Sequence, residues 1–265
     1  MSPDAPTLAF LLDSPLQSWG ESSRFNRRDS GPHPTKSGVV ALLACARGID
    51  KHAGDEAEQL APLARLRLAT VLLPRIRRNW RREPVVDEDG RVRRHRPLRL
   101  TDYHTIGGGF DDKLDALRKP RKATGGVFDT VQTWRDYLLD ARFAAFLQGD
   151  PRELERCAAD FEDPCWGLWL GRKSCVPSVP ILPRLLPTFS GAWSFLVERA
   201  GFPAETAIEE FERCVEQTAA EAAAGFILLD QPVSFGRREF HARPVRRLRP
   251  GEGPRDTGPG EGISD

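Results

Sequence analysis

Long apolar runs are missing from this chain. No segment reaches the ~18 consecutive apolar residues that a membrane-spanning helix needs, so no contact with a membrane is expected. The first residues do not join a basic stretch to an apolar core and a small-residue cleavage site, and the expected location is cytoplasmic. Cysteine is sparse: Cys45, Cys157, Cys165, Cys175 and Cys214 are odd in number and form no CxxC pair. This argues against a structural zinc site and for reduced thiols, with a Cys165–Cys175 pair as the alternative. Carboxylates paired at metal-ligand spacing are lacking, and no cofactor is expected. Excess charge is lacking too: Lys and Arg number 39, Asp and Glu 38, for a net charge of +1. A nucleic-acid surface would have to come from local segregation of charge, and among the cations Arg outnumbers Lys, which suits bidentate phosphate contacts. No solenoid repeat is visible, and 265 residues suffice for one large domain or two modest ones.

Segregation is what residues 16–43, LQSWGESSRFNRRDSGPHPTKSGVVALL, show. An apolar strand ends in a polar exit from Leu16 to Gly20, and Trp19 in that exit is a candidate RNA contact. A loop follows with Arg24, Arg27, Arg28 and Lys36 among Ser, Gly and Pro. Lys36 and Ser37 then open an apolar run with Val39, Leu42, Leu43 and Ala46 at helical spacing, and Gly48 stands where a stop belongs. A basic loop feeding a helix N-terminus describes a phosphate site, because free N–H groups, the helix dipole and fixed cations all attract anions. Solvated loop cations are the plainer alternative. The GxxxxGK[ST] spacing of a nucleotide-binding loop is absent.

Period and punctuation predict a strand at 7–12, a helix at 34–47, a short helix at 55–65 broken by Pro62, and a strand at 66–73. Residues 131–148 read as two strands bending near Asp140, and 151–163 as a helix with Leu154, Cys157, Ala158 and Phe161 on one face. A short strand ends at Leu170, with Trp166 and Trp169 placed in the core rather than as base-stacking platforms. The Pro-rich stretch 177–187 cannot be a central strand. An Ala/Glu-rich helix is expected at 204–224, with Ile208, Phe211 and Val215 on one stripe, and strands at 226–230 and 240–248. A disordered tail is expected at 251–265.

Three further segments carry candidate chemistry. Residues 75–99 hold Arg77, Arg78, Arg81, Arg82, Arg91, Arg93 and Arg94 with Trp80, around an acidic Asp87-Glu88-Asp89-Gly90 turn. They read as a protruding hairpin for an RNA or RNA–protein contact, with a disordered basic insertion as the alternative. In TDYHTIGGG, Tyr103 and His104 precede glycines from Gly107 onward that let backbone approach a ligand; the polar stretch 111–128 after them reads as a mobile loop. Gly171, Arg172, Lys173 and Ser174 form a second candidate phosphate loop, as a wall opposite the Lys36 loop; a solvated turn is the plain alternative. Together the elements predict an α+β fold, ferredoxin-like at its N-terminal end.

Four blocks in one order carry a resemblance. They are Leu16-Gln17-Ser18-Trp19-Gly20 with Pro34-Thr35-Lys36-Ser37-Gly38, then Asp102-Tyr103-His104-Thr105-Ile106-Gly107, then Val131-Gln132-Thr133-Trp134-Arg135-Asp136-Tyr137-Leu138, then Leu170-Gly171-Arg172-Lys173-Ser174-Cys175-Val176-Pro177. The chain resembles, from about residue 8 to 181 and more weakly at 230–243, the CasD family of subunits of the type I-E CRISPR surveillance complex, Cascade. The resemblance implies a modified RNA-recognition-motif domain over 1–180, carrying a basic β-hairpin thumb at 75–99. A helix and C-terminal strands over 181–250, forming a small β region, would complete the fold. It implies a non-catalytic subunit that holds the 5′ handle of the CRISPR RNA beside the CasA large subunit and the CasC backbone subunit, and meets target DNA indirectly in antiviral defence. The long Arg-rich stretch and the helix at 204–224 depart from the family pattern.

The alternative is a metal-independent endoribonuclease acting on CRISPR repeat RNA, as related type I-C subunits do. Such chemistry needs a base, an acid and a cation on the phosphate, and Tyr103, His104 and Lys36 are the candidates. The type I-E pattern favours no catalysis, since the CasE subunit cuts there. Tyr103 and His104 then stack the handle, while Arg24, Arg27, Arg28, Lys36, Arg172 and Lys173 hold its phosphates.

Overall fold

The computed structural model describes residues 1–22, 26–90, 92–106, 131–218, 221 and 225–253. Arg24, Arg91, Gly107, the expected loop at 111–128 and the tail from 254 onward lie outside the described residues.

Strand β1, Thr7–Asp13, is buried on both faces, and a two-residue strand β2, Leu16–Gln17, follows it. After β3, Arg27–Arg28, comes helix α1, Lys36–Arg47, where the Thr35 hydroxyl accepts from the Gly38 amide and Gly48 closes the end in the left-handed conformation. Helix α2, Glu56–Arg65, runs through Pro62 instead of breaking there. Losing one N–H near the helix end is tolerated because Leu60 and Leu63 on either side are fully buried. Next come β4, Arg67–Leu72, a short pair β5, Arg75–Ile76, and β6, Arg94–His95, then the long strands β7, Leu98–Ile106, and β8, Val131–Leu139. Asp140 turns the chain at a φ of 53° into β9, Arg142–Gln148. Helix α3, Pro151–Glu162, is capped by Asp150; edge strand β10, Arg184–Leu186, then leads to α4, Phe189–Arg199. The C-terminal part is β11, Arg213–Glu216, then β12, Phe226–Ser234, and β13, Glu239–Leu248.

This is an α+β fold on a seven-stranded antiparallel sheet in the order β10-β1-β9-β4-β11-β13-β12. The sheet takes strands from both sides of residue 180. Alternation divides its two faces. Leu8, Phe10 and Leu12 meet Val39, Leu43, Leu60, Leu154 and Phe161 from α1, α2 and α3. Ala9, Ala69, Val71, Ala144 and Phe146 meet Ala192, Trp193, Leu196 and Val197 from α4. Small residues on that second face leave room for the Trp193 ring, which stands against Phe146 and Phe211. A second sheet pairs β8 with β2, β3 and β7.

Two expectations need correction here. The helix expected at 204–224 is a 3-10 turn, Ile208–Glu210, followed by β11. Strand β11 pairs with β4 on one side and β13 on the other, so tertiary pairing overrides the helix propensity of this Ala/Glu-rich stretch. The strand expected to end at Leu170 is a series of turns, and Trp166 is 43% exposed rather than core. Cys165 and Cys175 are both free, the first exposed and the second buried.

Two constraints place the loops that matter below. Gly171 has a φ of 106°, and a Cβ there would sit 1.8 Å from the Ser18 carbonyl oxygen. Only glycine lets this loop close on the β2 exit, where the Ser18 amide donates to the Leu170 carbonyl at 3.0 Å. The second constraint is a buried ionic cluster at the start of α1. Lys36 is 2% exposed, and its ammonium donates to both Glu216 carboxylate oxygens at 2.9 and 3.0 Å. Its amide donates to Asp230 at 2.8 Å, and Arg243 grips the same carboxylate at 2.9 and 2.7 Å. Burial pushes the Lys36 pKa down against the pull of Glu216, whereas for Arg243 the carboxylates outweigh burial and its pKa rises.

Gly171→Ala should therefore destabilise the chain by about 2–4 kcal/mol, through both the left-handed backbone and the collision with Ser18, read from urea unfolding midpoints. Lys36→Met should cost about 3–5 kcal/mol in the same measurement, because it leaves Glu216 buried without its ammonium partner.

Candidate nucleic-acid interface

A cleft of about 320 Å³ lies where five separate stretches of chain meet. Ser18, Trp19 and Gly20 come from the β2 exit, Arg28 and Asp29 from β3 and the residue after it, Thr35, Ser37 and Gly38 from the start of α1, and Gly171 and Arg172 from the loop after α3. Phe235 and Phe240 close it from the two ends of the β12–β13 turn, with ring centroids 6.2 Å apart. Glu56, in the first turn of α2, holds that turn in place by accepting from the Ser234 hydroxyl, from the Phe235 amide at 2.8 Å and from the Gly236 amide at 3.2 Å. The lining thus combines guanidinium groups from Arg28 and Arg172, the Asp29 carboxylate, hydroxyls from Ser18, Thr35 and Ser37, glycines and a half-buried aromatic pair. That inventory suits a phosphodiester chain with an unstacked base.

Residues of both candidate phosphate loops line this one cleft, but not every residue named in them faces it. Arg28 is exposed at the rim. Arg172 donates to the Asp136 carbonyl at 2.8 Å and the Arg28 carbonyl at 2.6 Å, and its guanidinium lies 4.7 Å from the Tyr137 ring centroid. It clasps the loop to β8 and β3 while keeping its charge at the cleft wall. Lys173 is exposed with its ammonium 5.8 Å from the Trp169 ring centroid, and Ser174 is exposed with its hydroxyl 3.5 Å from that of Tyr137. Arg27 is exposed on β3 opposite Trp134.

Lys36 is the chief correction. Its ammonium is turned inward onto Glu216, out of reach of the cleft. The helix N-terminus is also largely occupied: Asp230 takes the Lys36 amide and Thr35 the Gly38 amide, so the dipole already holds an internal carboxylate. Ser37 lines the cleft, its hydroxyl 3.3 Å from that of Thr35. Trp19 is 1% exposed, its indole donating to Gln17 at 3.0 Å and its ring filling the space that a Cβ on Gly38 would need, so it is a structural floor rather than a stacking surface.

Tyr103 and His104 lie on the β7–β8 hairpin. Tyr103 is 51% exposed and faces Trp134 across the strands at 5.5 Å between ring centroids. The His104 Nε2 is 2.6 Å from the Asp102 carboxylate. Lys36 does not join this pair, so the acid–base set of Tyr103, His104 and Lys36 is not assembled.

The 75–99 stretch differs from a simple two-armed hairpin. Its chain makes a first turn at Asn79, where the side-chain oxygen accepts from the Arg81 and Glu83 amides at 2.9 and 3.0 Å. The expected acidic turn follows, with the Gly90 amide donating to the Asp87 carbonyl at 3.1 Å. Bridges Arg78–Pro84 and Val86–Val92 leave three short runs side by side. The longer hairpin is β7–β8, and residue 99 belongs to it. Arg77, Arg78, Trp80, Arg81, Arg82, Arg93 and Arg94 all lie in the shorter excursion.

Phe235 and Phe240 were not among the residues expected from sequence. Their signal is present in Phe235-Gly236-Arg237-Arg238-Glu239-Phe240, a tight basic turn flanked by two aromatics inside the weakly matching 230–243 region.

Comparison with known proteins agrees with the resemblance. A family model described as CRISPR-associated protein (Cas_Cas5) matches residues 7–247. The chain is 30% identical over 180 residues to the CRISPR system Cascade subunit CasD of Escherichia coli (strain K12), covering 66% of this chain and 68% of that protein. Among solved structures it is similar to a chain of a CRISPR RNA-guided surveillance complex, at 26% identity and a TM-score of 0.60, covering 91% of this chain and 89% of that one. It is also similar to a Cas protein crystal structure, at 27% identity and a TM-score of 0.55, with 91% and 93% covered. The family match spans every strand from β1 to β13, the solved relatives share the architecture, and the chain belongs to the CRISPR-associated Cas_Cas5 family.

Proposed function

We propose that the chain is a non-catalytic guide-RNA-binding subunit of a Cascade-type complex, and that the cleft holds the 5′ handle of the CRISPR RNA. The observation that carries this reading is the convergence of sequence-distant blocks on one cleft with two arginines and an aromatic pair. Arg28 and Arg172 face phosphates, and Phe235 and Phe240 receive an unstacked base. Tyr103 and Trp134 on the β7–β8 hairpin offer a further stacking surface. The run β1, α1–α2, β4, β9, α3, β10 with the order β10-β1-β9-β4 supports an RNA-recognition-motif-like N-terminal half. Its sheet face is covered by α4, which favours the cleft over the sheet as the RNA seat. A large subunit and a backbone subunit are the expected neighbours. Exposed Ile227 and Leu229 on edge strand β12 are suited to being covered in such an assembly.

Replacing Arg27 and Arg28 together with Ala should weaken handle-RNA binding and flatten the log K against log salt slope by about 0.7 for each phosphate no longer neutralised. Phe240→Ala should cost about 1–3 kcal/mol of handle affinity with an unchanged unfolding midpoint. Filter binding with handle RNA reads both. Unchanged affinity and slope in both variants would remove the handle from this cleft.

A second reading has one observation in its favour: the half-exposed His104–Asp102 pair beside Tyr103, an arrangement that can orient a general base. Incubating the protein alone with repeat RNA and EDTA separates the two. No cleavage is expected, with His104→Ala lowering handle affinity without loss of stability. Cleavage at one repeat position that vanishes in His104→Ala would establish the endoribonuclease.

A further inference from the structure

The excursion between β5 and β6 sorts its arginines into two sets. At its base, Arg75 contacts Asp13 at 2.6 Å and Asp140 at 2.5 Å. Arg94 contacts Glu210 at 3.0 Å and lies about 5 Å over the Phe202 and Phe211 rings. These two fix the excursion to the body. Farther out, Arg77, Arg81, Arg82 and Arg93 are exposed, and no carboxylate among the described residues pairs with them. The nearest acid in sequence, Glu83, accepts instead from the Asn79 amide nitrogen at 2.9 Å.

The turn that carries Arg81 and Arg82, beside the runs of Arg77 and Arg93, is organised. Asn79 accepts from two amides of the turn, the Arg82 amide donates to the Asn79 carbonyl at 2.9 Å, and Arg82 takes a φ of 63°. The result presents Trp80 at 84% exposure with the Arg81 guanidinium 4.6 Å over one face of the ring. Trp is among the most buried side chains on average, so a hydrogen-bonded turn that holds one outward beside exposed arginines calls for a partner.

We propose that this turn is a second nucleic-acid contact, separate from the cleft: a base of a single strand stacks on the open face of Trp80 while Arg77, Arg81, Arg82 and Arg93 hold the flanking phosphates. Stacking and phosphate contacts read neither base edges nor the 2′-hydroxyl, so the site accepts RNA and DNA single strands without strong sequence preference. An acidic protein surface would match the cations but would leave the indole face without a planar partner. The proposal stands on the excursion alone and does not rest on the cleft reading.

The test is fluorescence anisotropy of the full chain with labelled oligo-U RNA and oligo-dT DNA of about a dozen nucleotides, over a range of salt. Trp80→Ala should weaken binding at least about fivefold, and Trp80→Phe should restore most of it, because the ring and not the indole N–H is used. Arg81→Ala, Arg82→Ala and Arg93→Ala combined should flatten the salt slope by about 2. A Trp80-dependent loss in either arm supports the proposal and names the strand that uses the site. Unchanged binding in both arms overturns it. Arg28→Ala serves as the control: a Trp80 effect that persists on this background belongs to the excursion, whatever the cleft binds.

Discussion

The aromatic side of the cleft depends on the ionic cluster at the start of α1, together with the Glu56 contacts that fix the β12–β13 turn. Asp230 takes the Lys36 amide, Lys36 takes Glu216, and Arg243 holds Asp230 with a second contact to Glu216 at 3.6 Å. The four residues come from α1, β11, β12 and β13. Four charges removed from water are tolerable only because each has an opposite partner in hydrogen-bonding geometry. Their arrangement docks the C-terminal hairpin against the helix, and with it brings Phe235 and Phe240 to the cleft that the Gly171 loop also lines. Without that docking the cleft would stand open on its aromatic side.

The same cluster changes how the basic loop is understood. A helix N-terminus next to arginines has the ingredients of an anion site, but here the protein supplies the anion itself. What remains for a ligand is the rim: Arg28 and Arg172 side by side, with hydroxyls and glycines around them. Arg172 does two things at once, since its carbonyl contacts clamp the loop while its charge stays at the wall. The sheet face is closed by α4, and the cleft opens beside the sheet rather than across its strands.

Much of this was legible from residues alone. The stop at Gly48, the bend at Asp140 and the buried faces of α1 and α3 follow from local rules, and the structure has them. The convergence of the Gly171 loop on the α1 loop was expected as well, and it rests on a glycine whose neighbours leave no room for a Cβ. What failed was what local rules cannot see. Lys36 looks like a loop cation until Glu216, a partner 180 positions away, is placed beside it. Residues 213–216 carry helix-forming neighbours, yet two waiting strand edges decide their conformation. Trp19 and Trp166 exchange the environments expected of them, because which indole is covered depends on Gly38 and on the turns after α3. Helix α4 went unforeseen behind a Pro-rich stretch, although Thr188 caps it in the ordinary way.

The position of β11 and β13 in the sheet has a consequence for synthesis. The amide at the start of α1 finds its acceptor 194 residues later, and β4 is an open edge until β11 arrives from beyond residue 212. Contacts of such sequence separation close slowly, and a chain still on the ribosome has none of them. Until then Lys36 lacks its counter-charge and the apolar strand β4 shows an unpaired edge of the kind that recruits other strands. The N-terminal blocks that mark the family therefore acquire their final geometry only once the last hairpin, ending at Leu248, has been made and has left the ribosome.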